Sequence, residues 1–227
     1  MFENTNVYDC SMLNTGIKSY NGNSVFSFMF NGCKYLIKAP ELLATTLGRY
    51  CYDHMFSGCT SLTTVPNLPA TKLRAYCYQY MFYGCSSLTT VPSNLLPATT
   101  LIGSCYQYMF YGCSSLTKIP NLPATTLSEN CYQYMFYGCT GLVETPAGWY
   151  LPAQTTEKNS CSNMFSNCYK LKKMAVSYSE SITASHWSNF LYNVSKTGKF
   201  YYSKNQTKEN IQSIVPSGWT LVQSSGW

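Results

Sequence analysis

Twelve cysteines, two histidines and nine acidic residues are the groups in this 227-residue chain that could do chemistry. Their spacing speaks against most of it. Zinc-binding thiols usually come as Cys-x-x-Cys or with spacers of two to four residues. Here the dominant spacer is seven residues, as from Cys77 to Cys85, and no Cys-x-x-Cys occurs. Cysteines that return at one position of a repeat read instead as small buried hydrophobes stacked in columns. Free buried thiols are therefore expected. Disulfides are the alternative, because equivalent Cα atoms of neighbouring repeats come near bridging range. No metal and no cofactor is expected. Catalysis has as little to work with: the histidines are His54 and His186, and the aspartates are Asp9 and Asp53. There is no Gly-x-Ser-x-Gly, phosphate loop or zinc-protease motif. A carboxylate pair for glycoside cleavage has no distinctive setting. The chain reads as non-enzymatic, with a glycan hydrolase as the minor alternative.

The elements that carry these residues repeat. The string Cys77-Tyr78-Gln79-Tyr80-Met81-Phe82-Tyr83-Gly84-Cys85 recurs unchanged at Cys105–Cys113 and Cys131–Cys139. A looser copy runs from Cys51 to Cys59, and weaker ones start at Val25 and Cys161. A shorter Cys-x-x-Leu signature starts at Cys10, Cys33, Cys59, Cys85, Cys113, Cys139 and Cys168, in steps of 23, 26, 26, 28, 26 and 29 residues. Steps of that size belong to leucine-rich repeats. The sequence thus predicts an α/β repeat solenoid of about seven units over residues 1–180, the first one partial, with a C-terminal capping segment over 181–227.

Each unit reads as a short helix followed by a short strand. At 100° per residue, Cys105, Tyr106, Met109 and Phe110 share one arc, and Gln107, Tyr108 and Tyr111 face outward. Gly112 then sits where a left-handed residue ends a helix. In Leu88-Thr89-Thr90-Val91-Pro92, Leu88 and Val91 point inward, Thr89 and Thr90 form the strand, and Pro92 stops it. Pro40, Pro66, Pro120 and Pro146 repeat the stop. The following Asn-Leu-Pro-Ala-Thr-Thr-Leu segment is expected to turn the chain back. In the cap, a helix is expected near 185–192, with strand-like segments at 199–202 and 215–222.

Composition narrows the class. Charged residues are only 11% and apolar residues 45%, so the chain is not disordered by composition. The net charge of +6 is carried mostly at the C-terminal end, where eight of the thirteen lysines lie at or after Lys158. No basic run is interleaved with stacking aromatics, so nucleic acid is not an expected partner. No run of eighteen apolar residues exists, so no membrane insertion is expected. Met1-Phe2-Glu3-Asn4-Thr5-Asn6 has neither the basic nor the apolar region of a signal peptide. That suggests use without export, or a mature or trimmed form.

The unit Met-Phe-x-Gly-Cys-x-Ser-Leu-Thr-x-Val-Pro resembles the BspA-like leucine-rich repeats of gut bacteria such as Bacteroides and of their phages. The resemblance covers roughly residues 25–176. Ile214-Val215-Pro216-Ser217-Gly218-Trp219-Thr220 is similar to the segment that often closes such arrays. The resemblance implies adhesion or host attachment: a phage tail-associated receptor-binding protein on a virion, or an adhesin on a bacterial cell surface. A structural assembly subunit of a virion or surface complex is the alternative. The partners implied are a host-surface glycan or protein, other virion or surface subunits, or further copies of the chain.

Three outward columns are candidates for contact. The first is a tyrosine strip of Tyr80, Tyr83, Tyr108, Tyr111, Tyr134 and Tyr137. It is flanked in its two files by Phe28 and His54, and by Asn31, Ser57 and Ser166. Rings at one-repeat spacing either shield the joints between repeats or, as a stacking platform, suit the apolar faces of sugars or an extended partner. The second is the strand column of Lys38, Thr64, Thr90, Lys118, Glu144 and Lys173. The third is the triplet before each predicted helix, which differs between otherwise near-identical copies: Gly48-Arg49-Tyr50, Arg74-Ala75-Tyr76, Ile102-Gly103-Ser104 and Ser128-Glu129-Asn130.

Overall fold

A computed structural model describes residues 2–13, 18–146, 149, 151, 155–176, 186–204 and 206–224, with backbone alone at 155, 156 and 210. The chain is a parallel β-solenoid of about eight turns. Its regular elements are β1 (Ser19–Tyr20), β2 (Thr46–Leu47), β3 (Thr126–Leu127), β4 (Thr155–Thr156), β5 (Lys173–Val176), β6 (Gly198–Ser203), α1 (Lys208–Gln212) and β7 (Trp219–Ser224). All pairings are parallel: β1 with β2, β3 with β4, and β5–β6–β7 in one sheet. Single bridges extend two columns along the stack. One joins Asp9 to Lys38, Thr90 to Lys118 and Glu144 to Lys173; the other joins Thr46 to Lys72 and Thr100 to Thr126.

The predicted strand column after the Cys-x-x-Leu signatures is present in part. Single bridges mark it at Lys38, Thr90, Lys118 and Glu144, it becomes a full strand at Lys173–Val176, and Thr64 makes no bridge. Leu88 and Val91 are buried. The Thr-Thr-Leu segment does more than turn the chain. It supplies the second strand column, with Leu122, Ala124 and Leu127 inward.

The helix predicted in each unit is absent, and a ladder of linked turns takes its place. In the central coil alternate N–H groups bond in different directions. Cys105, Gln107, Met109, Tyr111 and Cys113 donate three residues back, for example Met109 to the Tyr106 carbonyl at 3.2 Å. Tyr106, Tyr108, Phe110 and Gly112 donate to the next coil, at the carbonyls of Cys131, Gln133, Met135 and Tyr137. Every fourth residue has positive φ: Ser104 at 58°, Tyr108 at 58° and Gly112 at 69°. That places each at the third position of a turn, where type II geometry demands it. The same four-residue rhythm holds at Asn159, Asn163 and Asn167, and at Asn189 and Asn193. Residues 186–193 thus form another turn ladder rather than a helix.

This backbone explains the residue types. Asn and Gly reach the left-handed region most cheaply. It also gives a test with opposed signs. In a helix, Asn159→Ala would raise stability, since Ala is the better helix former. In the ladder, where Asn159 has φ 57°, Ala should cost about 1–2 kcal/mol, and Asn159→Gly should be neutral or better. Urea denaturation of the two variants reads the sign.

Register follows from the same hydrogen bonds. Tyr132 N–H bonds the Ser160 carbonyl as Tyr106 bonds Cys131. The seventh copy therefore begins at Ser160, and Cys161 fills the slot of the buried tyrosines. Likewise Asn4, at φ 54°, occupies the glycine slot of the first coil, and Thr5 takes the cysteine slot against Cys33. Cys10 is buried in the strand region, and Leu13 is exposed. That pair is not a copy of the Cys-x-x-Leu signature.

One core runs from Cys10 to Trp219. Seven phenylalanines form a single file: Phe2, Phe30, Phe56, Phe82, Phe110, Phe136 and Phe165, with centroids 5.3–5.7 Å apart. Tyr52, Tyr78, Tyr106 and Tyr132 make a second buried file. All twelve cysteines are free and buried. In the column after the ladder each thiol donates to the phenylalanine carbonyl one coil back. Cys113 bonds Phe82 O and Cys139 bonds Phe110 O, both at 3.2 Å. Each such carbonyl also accepts a turn N–H, so a small residue with a weak donor fits this slot.

Candidate recognition surface

The turn ladder fixes where the tyrosine strip lies. Tyr80, Tyr108 and Tyr134 take the left-handed slot, with φ of 55–58°. Left-handed backbone costs a non-glycine residue about 1–2 kcal/mol. Stacking offsets it. Tyr108 lies 4.5 Å from Tyr80 and 4.8 Å from Tyr134, with each pair of planes 4° apart. The file continues through His54, 4.3 Å from Tyr80, to Phe28 at 4.5 Å. The Asp53 carboxylate oxygen accepts from His54 Nδ1 at 2.7 Å and so holds the imidazole in line. Next to it Gln79, Gln107 and Gln133 form a side-chain amide ladder with bonds of 2.6 and 2.5 Å.

The second file, Tyr83, Tyr111 and Tyr137, stacks at 4.9 and 4.5 Å. Its extensions, Ser57 and Ser166, are buried. The structure thus brings all six predicted tyrosines together as two adjacent half-exposed files, 5.6–5.8 Å apart between rings of one coil. Their presentation differs from the sequence reading. Tyr108 and Tyr111 have both ring faces covered by neighbours, so only edges and hydroxyls remain outward. Burial pushes the Tyr108 hydroxyl up to about 12, with Tyr80 and Tyr134 adding to the effect. Along its middle the strip therefore offers hydroxyls and ring edges in register rather than open faces for sugar rings, while Tyr83, Tyr134 and Tyr137 each stack against a ring on one face alone.

The strand column carries opposite charges one coil apart. Lys173 pairs with Glu144 at 3.1 Å and Lys38 with Asp9 at 3.9 Å. These pairs are more than half exposed or close to it, so they add little stability. The triplet column sits beside the second strand column, which residue patterns alone did not reveal; Arg49, Lys72 and Arg74 meet there in a cleft. Among the described residues no group of three or more His, Cys, Asp or Glu side chains could hold a metal ion. No helix among them is long and apolar enough to cross a membrane.

Parallel coils with a leucine-centred consensus and outward columns in register define a leucine-rich-repeat solenoid. The family model for the BspA type leucine-rich repeat region matches in six copies, over residues 2–143, 45–172 and 98–214, and the chain belongs to that family. Comparison with curated proteins and with solved structures gives no match. Membership suggests a module for protein interaction or adhesion, and leucine-rich-repeat families are generally non-enzymatic.

Proposed function

We propose that the chain is a non-enzymatic recognition module that attaches a phage tail or a bacterial surface to its target, with 181–227 capping the repeat body. The observation that carries this reading is the tyrosine strip. Three consecutive coils present the same two side chains in register, and weak contacts repeated along a rigid array add through effective concentration. With the central ring faces covered, the partner is met there by hydroxyls and ring edges, which suits a protein or glycan surface rich in polar groups. Replacing Tyr83, Tyr111 and Tyr137 together with Ser is the test. The file contributes about 0.5–1.5 kcal/mol per stacked pair, so the fold should survive with a modestly lower melting temperature. Loss of attachment to target cells by the folded variant supports the reading. Attachment intact in the folded fraction, with a large fall in melting temperature, would show the strip to be structural.

A further inference from the structure

The chain has two arginines, Arg49 and Arg74. Both lie in the variable triplets that precede successive turn ladders, and both line one cleft of about 380 Å³ together with Lys72, Asn21, Asn23 and Thr46. Among the described residues none of the three cations forms an ion pair. Among the described residues no acidic side chain lines the cleft. Like charges gathered without counter-charge raise the local potential and favour an anion.

The cleft is also prepared for a ligand. The Arg49 guanidinium lies 5.2 Å from the ring centroids of both Tyr50 and Tyr76, which stack on each other at 4.6 Å. Held by two rings, it loses less freedom on binding than a free side chain would. The floor is set by Gly48: a Cβ there would come within 2.1 Å of the Gly22 carbonyl oxygen, so two coils approach each other more closely than any side chain permits.

From this geometry we infer an anion-recognising saccharide site: the cleft binds a sugar bearing a carboxylate or sulfate, with the arginines on the anionic group and Asn21, Asn23 and Thr46 on hydroxyls. This inference rests on the recognition reading above and adds a second contact to it, apart from the tyrosine strip. Arginine suits planar two-point recognition of such oxyanions. A peptide strand is disfavoured here. The strand at the cleft, β2, is paired on one side with β1 and bridged on the other to Lys72. No free edge is left to add a strand to.

The test measures binding by the full chain of sialyllactose, which carries a carboxylate, and of 3′-sulfated lactose, each against neutral lactose. Sodium phosphate and sodium sulfate serve as simple anions. One or both acidic sugars should bind, with affinity falling as salt rises. The double variant R49Q/R74Q should lose about tenfold or more per arginine. The charge-matched control K34Q/K170Q, at exposed lysines away from the cleft, should bind as the parent chain does. Circular dichroism melting shows that each variant is folded. Equal binding of acidic and neutral sugars overturns the inference. So does binding unchanged in R49Q/R74Q, or lost equally in K34Q/K170Q. Phosphate or sulfate binding as tightly as the acidic sugars would leave a simple anion site and no saccharide site. The role given to the tyrosine strip fails separately: it falls if the Tyr→Ser triple variant keeps its attachment, whatever the sugars do.

Discussion

Raising the pH from neutrality should unfold this protein cooperatively between about pH 9 and 11, far more sharply than an array without thiols. Burial pushes Cys51, Cys59, Cys105, Cys113, Cys161 and Cys168 from 9.0 up to about 12. It drives Cys77, Cys85, Cys131 and Cys139 well above the ordinary range as well. A thiol whose folded pKa lies above its unfolded one binds more protons in the folded state at high pH. Its stabilising effect is complete below the ordinary value near 9, and is lost as pH climbs toward 12. Near pH 10 each such thiol costs about 1.4 kcal/mol, so the six together cost on the order of 8 kcal/mol. A domain's whole stability is about 5–15 kcal/mol. The buried tyrosines push the same way, since Tyr78, Tyr106 and Tyr132 are also raised by burial. Far-UV spectra recorded through the alkaline range read the transition. The same burial should hide the thiols from a thiol reagent at neutral pH, while denaturant without reductant exposes all twelve. A fold intact at about pH 11 would contradict the thiol columns, as would disulfides found by mass spectrometry in the unreduced protein.

Phe110→Ala should be the costliest single core truncation in the middle of the array, at about 3–5 kcal/mol. The ring is fully buried, 5.4 Å from Phe82 and 5.6 Å from Phe136. Its backbone lies in the ladder on both sides, with its N–H on the Met135 carbonyl and its own carbonyl accepting from Cys113 and Cys139. Neighbouring coils cannot collapse into the gap without shifting these bonds, so the cavity persists. Stability in a solenoid is a sum of units and nearest-neighbour interfaces. Losing the central ring weakens both interfaces of one coil, and the chain should still unfold in one transition at a lower urea midpoint. A loss under about 1 kcal/mol would show that the phenylalanine file is not the core's main axis.

Much of this was legible in the sequence. The inward set of Cys105, Tyr106, Met109 and Phe110, the proline stops and the strand column needed only the repeat and its apolar residues. The helix did not hold, because the in-in-out-out pattern has a period of four, about 10° per residue from that of a helix. Over nine residues that difference drifts less than a quarter-turn, so the same side chains face inward either way. The signal that separates the two readings is the left-handed slot. Asn159, Asn163 and Asn167 mark it openly, but in the central copies it is filled by Tyr108 and its equivalents, whose types do not favour it. The tyrosine strip was legible as a set, whereas the stacking that closes its ring faces depends on the spacing between coils. The arginine cleft was hidden for a different reason. Arg49 and Arg74 lie in triplets that vary between copies, and only the second strand column, built from a segment that reads as a turn, brings Lys72 and Thr46 beside them.

The ladder holds every outward column in register, and one measurement reaches it directly. Scalar couplings across hydrogen bonds, recorded by NMR on the deuterated, isotope-labelled chain, connect each amide nitrogen to the carbonyl carbon it bonds. Tyr108 nitrogen should couple to the Gln133 carbonyl, its partner in the next coil at 3.0 Å, while Gln107 nitrogen couples to Ser104, three residues back. A coupling from Tyr108 to the Ser104 carbonyl, four residues back, is the mark of an α-helix and would contradict the ladder.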